Sequence, residues 1–492
     1  MKRRISRLLL PVLTLAASIE SVSLGPLSLA AQSPAAAGLE LSPCHIDGLA
    51  EEILCGVHTV FEDRDRQAGR TIPIHVAVLP SLRRPSEADP LFLMAGGPGQ
   101  GARGLAPAAA RSFRAVRRHR DIVLVDLRGT GESAPLSCDT SGDEIAALEE
   151  ADFARIARNC AAALDADPRL YTHRHSLADL DEIRQRLGYG RINLWGGSWG
   201  TRAALLYALR YPDAARSVVL DGAAALAMEF PRTASADAQA ALDGMIERCR
   251  ADTDCREAYP DPRAYLDRFL ARFASGTAVA VRHPRTHAPV TVRLSIGLAA
   301  DILRGALYTP RDAAAVLHLV RQAADGDVAP LLAQFMRTSS VTTDDMALGA
   351  TFSVLCSEDL PRVRAADFAA DARGSIFGTA YADIWNVRCA AWPPGPPLDE
   401  PTDVTSDVPA LILSGGDDPV TPPRAGNLMA SHFTRHRHIV VPRAAHNTSF
   451  SGCVPDLIAQ FIADASADGL DTACVNAITG WPFVLSTAGS LP

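Results

Sequence analysis

Short apolar runs that end in glycine or aspartate alternate along this chain with stretches whose apolar residues recur every three to four positions. The runs at 72–79, 91–94, 121–125, 192–195 and 216–220 predict five strands. Residues 201–211 predict a helix stopped by Pro212. This alternation predicts a mostly parallel sheet flanked by helices, with any site at the carboxyl ends of the strands. From about 226 to 400 the pattern changes. Leu242, Met245, Ile246 and Cys249 repeat at helical spacing, as do Leu266, Phe269, Leu270 and Phe273. A hairpin is expected over 279–294 and helices over 296–307, 311–324 and 328–337. We read this block as a mainly helical lid inserted into the sheet domain, with the proline-rich stretch 392–401 as its exit linker. Strands resume at 409–414 and 438–441. His436 and His438, on or beside the last strand, read as a solvated strand edge rather than a metal site.

The expected organisation is therefore residues 1–31 as an export signal, 32–225 as the first part of the core, 226–400 as the lid and 401–492 as the second part of the core. The signal rests on a basic start (Lys2, Arg3, Arg4, Arg7) and a short apolar run over 8–17 broken by Pro11. A cleavage site is expected at Ser28-Leu29-Ala30. The apolar run is too short to span a bilayer, so the protein is expected to be secreted or periplasmic, with no membrane contact after signal cleavage. The ten cysteines suit an oxidising compartment, and consecutive pairing would give five bridges, although spacing alone does not fix connectivity. They form no CxxC pair, so a zinc site is not indicated.

Composition narrows the chemistry. Of 492 residues 48% are apolar, enough for a large core, and the net charge of -8 offers no footprint for nucleic acid. Lys2 is the only lysine, so a mature chain has no Schiff-base lysine, no Ser-Lys dyad and no P-loop lysine.

The remaining chemistry converges on a serine nucleophile. Gly196-Gly197-Ser198-Trp199-Gly200 fits the Gly-x-Ser-x-Gly pattern between a strand and a helix, where a sharp turn exposes the serine and glycines let strand and helix backbones pass closely. The oxyanion of an acyl-transfer intermediate would be held by the N–H of Trp199 and by that of Gly97, in the glycine-rich loop after an earlier strand. Acid and base should follow the serine in that order. Asp418 follows a strand and His446 follows the next, with Asp417 as a competing acid. His446 would be the general base and Asp418 would orient its imidazole. No cofactor and no metal are expected.

Four segments, Gly96-Gly97-Pro98-Gly99, Asp126-Leu127-Arg128-Gly129-Thr130-Gly131, the serine motif and Asp418-Pro419-Val420-Thr421-Pro422, resemble the prolyl iminopeptidase and tripeptidyl aminopeptidase branch of the α/β-hydrolases. The tail from about Asp403, with His446 and Cys453, resembles the C-terminal region of the tripeptidyl-aminopeptidase-like group. Ala95 and Leu127 depart from the prolyl iminopeptidase pattern, which usually has His and Gln there, and so weaken any implication of proline specificity. The resemblance implies an α/β-hydrolase fold and removal of residues from peptide N-termini, with acidic lid residues binding the free amino group. Glu358 and Asp359, after Cys356, are the substrate-binding candidates. The substrate is expected to be a peptide or a small ester. A carboxylesterase or lipase is the competing enzyme, and a catalytically silent binding protein is a third reading that an intact Ser198, Asp418 and His446 argues against.

Overall fold

The structure, a computed structural model, describes residues 38–138, 150–284, 286–344, 346–400 and 403–486. The expected signal at 1–31 lies outside the described residues, as does the end of the expected linker at 401–402.

Among the described residues the strands are β1 (Ser42–Cys44), β2 (Ile53–Phe61), β3 (Thr71–Leu79), β4 (Leu91–Met94), β5 (Ile122–Val125), β6 (Ile192–Gly197), β7 (Ala215–Asp221), β8 (Thr277–Arg282), β9 (Pro289–Leu294), β10 (Ala410–Gly415) and β11 (His436–Val441). All but β8 and β9 form one sheet in the order β1-β2-β3-β5-β4-β6-β7-β10-β11. β1, β2 and β3 pair antiparallel, β3 pairs antiparallel with β5, and every pairing from β5 to β11 is parallel.

The central strands are near-continuous apolar runs because both faces are covered. Alternate residues divide between two cores. Phe92, Met94, Val123, Val125, Leu194, Val218, Leu220 and Ile412 enter one. Leu91, Leu93, Ile122, Leu124, Trp195, Val219, Leu411 and Leu413 enter the other. The helix Gly200–Arg210 packs on the first and the helix Val454–Asp464 on the second.

β1 and β2 were not evident in the hydrophobic pattern. β2 lies near the sheet edge and leaves Val57 and Phe61 exposed, so its alternation is blurred. The Cys44–Cys55 bridge ties the two together. The other bridges, Cys138–Cys160, Cys249–Cys255, Cys356–Cys389 and Cys453–Cys474, also join consecutive cysteines.

Between β7 and β10, which are neighbours in the sheet, the chain leaves it entirely. Residues 222–409 carry the helices Ala234–Ala251, Pro262–Phe273, Ile296–Ala306, Pro310–Asp325, Ala329–Asp344, Leu348–Val354 and Ala380–Ala391, and the β8–β9 hairpin. Leu242, Phe269, Phe273, Leu303, Leu317 and Val320 belong to a separate core cluster in this block. The stretch read as an exit linker is packed down: Trp392 is buried against Phe352, and Gly395 N–H donates to Ser357 Oγ. His438, on the edge strand β11, is half-buried and bonded to Ser414 and Asn427, while His436 Nδ1 meets the Phe433 carbonyl. No helix among the described residues is long and apolar enough to cross a membrane.

Candidate active site

β6 runs into the helix Gly200–Arg210 through a turn in which Ser198 has φ +54, a left-handed conformation costly for a residue with a Cβ. The turn closes because its neighbours are glycine. A Cβ on Gly196 would stand 2.4 Å from the Gly200 carbonyl oxygen, and one on Gly200 would stand 2.1 Å from that of Met94. The serine motif is thus dictated by backbone approach, and the close approach leaves the side chain of Ser198 at the carboxyl end of β6.

Asp418 follows β10 and is buried. Its Oδ1 accepts the N–H groups of Val420 and Thr421, at 2.8 and 2.9 Å. Its Oδ2 accepts the Thr421 hydroxyl at 2.8 Å and lies 2.8 Å from Nδ1 of His446. Burial pushes the Asp418 carboxyl up, but the charge and hydrogen bond of His446 and the backbone donors outweigh it and hold it below the usual range. Burial likewise disfavours a charged His446, but Asp418 outweighs it and raises the imidazole above its ordinary value. Asp417, the competing acid, is paired instead with Arg248 at 2.5 Å. It lines a cavity of about 580 Å³ with Arg248, Arg443 and Trp481 that Asp418, His446 and Ser198 do not line.

Asp221, at the end of β7, joins the two halves of this arrangement, and sequence reasoning missed it. Its carbonyl accepts the Ser198 N–H at 2.8 Å. Its buried carboxylate accepts the N–H groups of Thr448 and Ser449 at 2.8 and 2.7 Å, just past His446. Burial pushes this carboxyl up, and those donors offset only part of the rise. A Cβ on the next residue, Gly222, would stand 3.2 Å from Cε1 of His446, so the imidazole lies against the peptide that anchors Ser198. The signal was an aspartate ending an apolar strand, but nothing local says what it binds. Among the described residues the Ser198 hydroxyl makes no hydrogen bond; contacts of this kind commonly tighten only with substrate bound.

The Gly96-Gly97 loop lies against the serine, since a Cβ on Gly96 would stand 3.5 Å from Ser198 Oγ. Gly97 has φ +111. Among the described residues neither the Gly97 N–H nor the Trp199 N–H has a hydrogen-bond partner. The inserted block reaches the same place. The Tyr308 carbonyl accepts the His446 N–H at 3.2 Å, and the two rings are 5.4 Å apart.

Glu358 and Asp359 require a correction. Both are buried and their oxygens are committed internally. Glu358 Oε1 accepts the His173 N–H at 2.9 Å and Oε2 meets His173 Nδ1 at 2.5 Å. Asp359 accepts both Arg202 Nη1, at 2.7 Å, and Arg362 Nη2, at 3.1 Å. Arg202 in turn lies under the Trp199 ring, 4.1 Å from its centre. Asp359 braces the inserted block against the helix that follows Ser198 and Glu358 braces it against the start of the helix His173–Arg186, and neither is open to a substrate's ammonium. The Asp126–Gly131 motif is likewise structural: Arg128, fully buried, forks onto Asp179 at 2.7 and 2.9 Å.

Fold and sequence together define the class. Residues 89–452 match the family described as the alpha/beta hydrolase fold, and the chain belongs to that family. It is a hydrolase of the α/β type. Over 481 residues it is 25% identical to the serine protease Hip1 of Mycobacterium tuberculosis, covering 89% of this chain and 91% of that protein. It is 31% identical over 214 residues to a tripeptidyl aminopeptidase of Streptomyces coelicolor, 39% of each chain. A probable proline iminopeptidase of the same species is 33% identical over 140 residues, 27% of this chain and 33% of that one.

Proposed function

We propose that this is a secreted serine peptidase whose reacting groups are Ser198, His446 and Asp418. The observation that carries the reading is the 2.8 Å contact between Asp418 and His446 Nδ1, at the end of the sheet where Ser198 stands in its left-handed turn. With Nδ1 engaged, Nε2 is the basic nitrogen. It takes the Ser198 proton as Oγ adds to the substrate carbonyl, and the oxyanion lies on the N–H groups of Gly97 and Trp199. The same proton passes to the leaving group as the bond to it breaks. Water then releases the acyl group from Ser198 by the reverse proton path. Residues 226–400 act as a lid over this site, and the signal-like start and the five bridges support export.

Action on free N-termini rests on the named relatives, a tripeptidyl aminopeptidase and a proline iminopeptidase among them. One observation favours a carboxylesterase instead: the two lid acids expected to bind an ammonium group are occupied. Free and N-acetylated peptides compared with a short-chain p-nitrophenyl ester decide between them. An aminopeptidase cleaves the free peptide far faster. Equal cleavage of both peptides, or ester hydrolysis alone, removes that specificity. Ser198→Ala should abolish turnover and labelling by a fluorophosphonate; an active or still-labelled variant refutes the mechanism.

A further inference from the structure

The inserted block brings a cation to within one side chain of His446. A circuit of side-chain contacts leaves His446, crosses this block and returns to the serine turn. The Tyr308 ring packs on His446 at 5.4 Å. Arg304 Nη1 donates to the Tyr308 hydroxyl at 3.4 Å, and its guanidinium carbon stands 3.8 Å from the Tyr381 ring centre. Tyr381 packs on Phe230, and Phe230 on Trp199, each at 6.0 Å. Arg304 is the charged member of this circuit. Its Nε donates to Asp301 Oδ1 at 3.1 Å. Arg304 is buried, 9% exposed, and among the described residues its Nη2 has no hydrogen-bond partner. A second guanidinium, Arg388, lies over the rings of Trp385 and Phe153, at 5.0 and 4.8 Å, with no ion pair among the described residues. Trp385 packs on Tyr381 at 6.5 Å. Asp301, which accepts from Arg304, is also the carboxylate whose charge acts on Arg388.

We infer that Arg304, with Arg388 behind it, receives a carboxylate of the substrate on its leaving-group side. The inference rests on Ser198 and His446 as the reacting pair, because the group that protonates the leaving group must lie beside it, and Arg304 is one contact beyond His446 through Tyr308. Stacking on Tyr381 fixes the guanidinium plane, and its remaining N–H groups form a fork suited to two carboxylate oxygens. The substrate class is a short peptide that carries a carboxylate just past the scissile bond, at its C-terminus or on an acidic side chain.

Titration calorimetry on the Ser198→Ala protein tests this without turnover. The probes are trialanine, trialanine amide, and the amide of Ala-Ala-Glu. Trialanine should bind about 10-fold or more tightly than its amide, as expected of a charge-assisted contact. Tight binding of the Ala-Ala-Glu amide would assign an acidic side chain as the source, and weak binding the C-terminus. Adding Arg304→Gln should bring acid and amide to equal affinity, and Arg304→Lys should retain part of the preference. Equal binding of acid and amide by Ser198→Ala itself, or no binding of any probe, overturns the inference, as does a preference that survives Arg304→Gln. Fluorophosphonate labelling of the wild type at Ser198 reports separately on the hydrolase mechanism.

Discussion

The N–H of Ser198 donates to the carbonyl of Asp221 at 2.8 Å, while the carboxylate of the same aspartate holds the loop that carries His446. One residue at the end of β7 therefore ties Ser198 to the loop of His446, the proposed nucleophile and base. Asn at 221 can accept only one of the two N–H groups and turns its own donor toward the other. Asp221→Asn should lower kcat by about 10- to 100-fold, the loss of a buried charged acceptor. The Asp221 charge also raises the His446 imidazole, so the acid limb of the pH–rate profile should move to lower pH. A merely structural role would reduce folded protein and leave that limb in place.

The wild-type pH dependence follows from the same pair. In the proposed mechanism the base must be neutral to accept the Ser198 proton, and His446 is raised above the ordinary histidine value of 6.5. Activity should therefore rise with pH through a midpoint above that value and fall away on the acid side. Asp418→Asn removes the charge that raises it. That variant should move the midpoint down and, by losing the correct tautomer, reduce kcat by about 10⁴-fold. The conformational contribution of His446 has the opposite sense: stability from its raised value is complete at low pH and is lost as pH rises through the folded value. Thermal unfolding across pH measures that term independently of rate.

Asp359 should matter for stability and not for recognition of an amino group. Asp359→Asn leaves the buried Arg202 guanidinium without its main carboxylate, a change that typically costs about 3–5 kcal/mol. Denaturant unfolding should show that loss. The ratio of rates on free and N-acetylated peptides should be unchanged in the variant. A ratio that collapses while stability holds would return Asp359 to the substrate.

The Cys356–Cys389 bridge joins the segment holding Glu358 and Asp359 to the helix that carries Arg388. Replacing both cysteines with alanine should lower unfolding stability by about 2–4 kcal/mol. Equilibrium unfolding of the double variant against the oxidised protein checks this.

Much of the core was legible in the sequence because it is governed by local and periodic rules. Apolar runs predicted the central strands, and Gly196 and Gly200 marked the serine turn because no Cβ fits there. Strand ends pointed to Asp418 and His446, and the consecutive cysteines form the bridges expected of them. What the tertiary structure decided are pairings between distant segments. Glu358 looked available until His173, 185 positions away, was seen to occupy it. Asp221 looked like a strand terminus until Thr448 and Ser449 were seen on its carboxylate. Arg304 and Tyr308 gained meaning only from their place beside His446. A carboxylate or guanidinium in a sequence has a charge but no partner. Burial obliges it to find one, and which partner it finds depends on how distant segments pack, which no local pattern encodes.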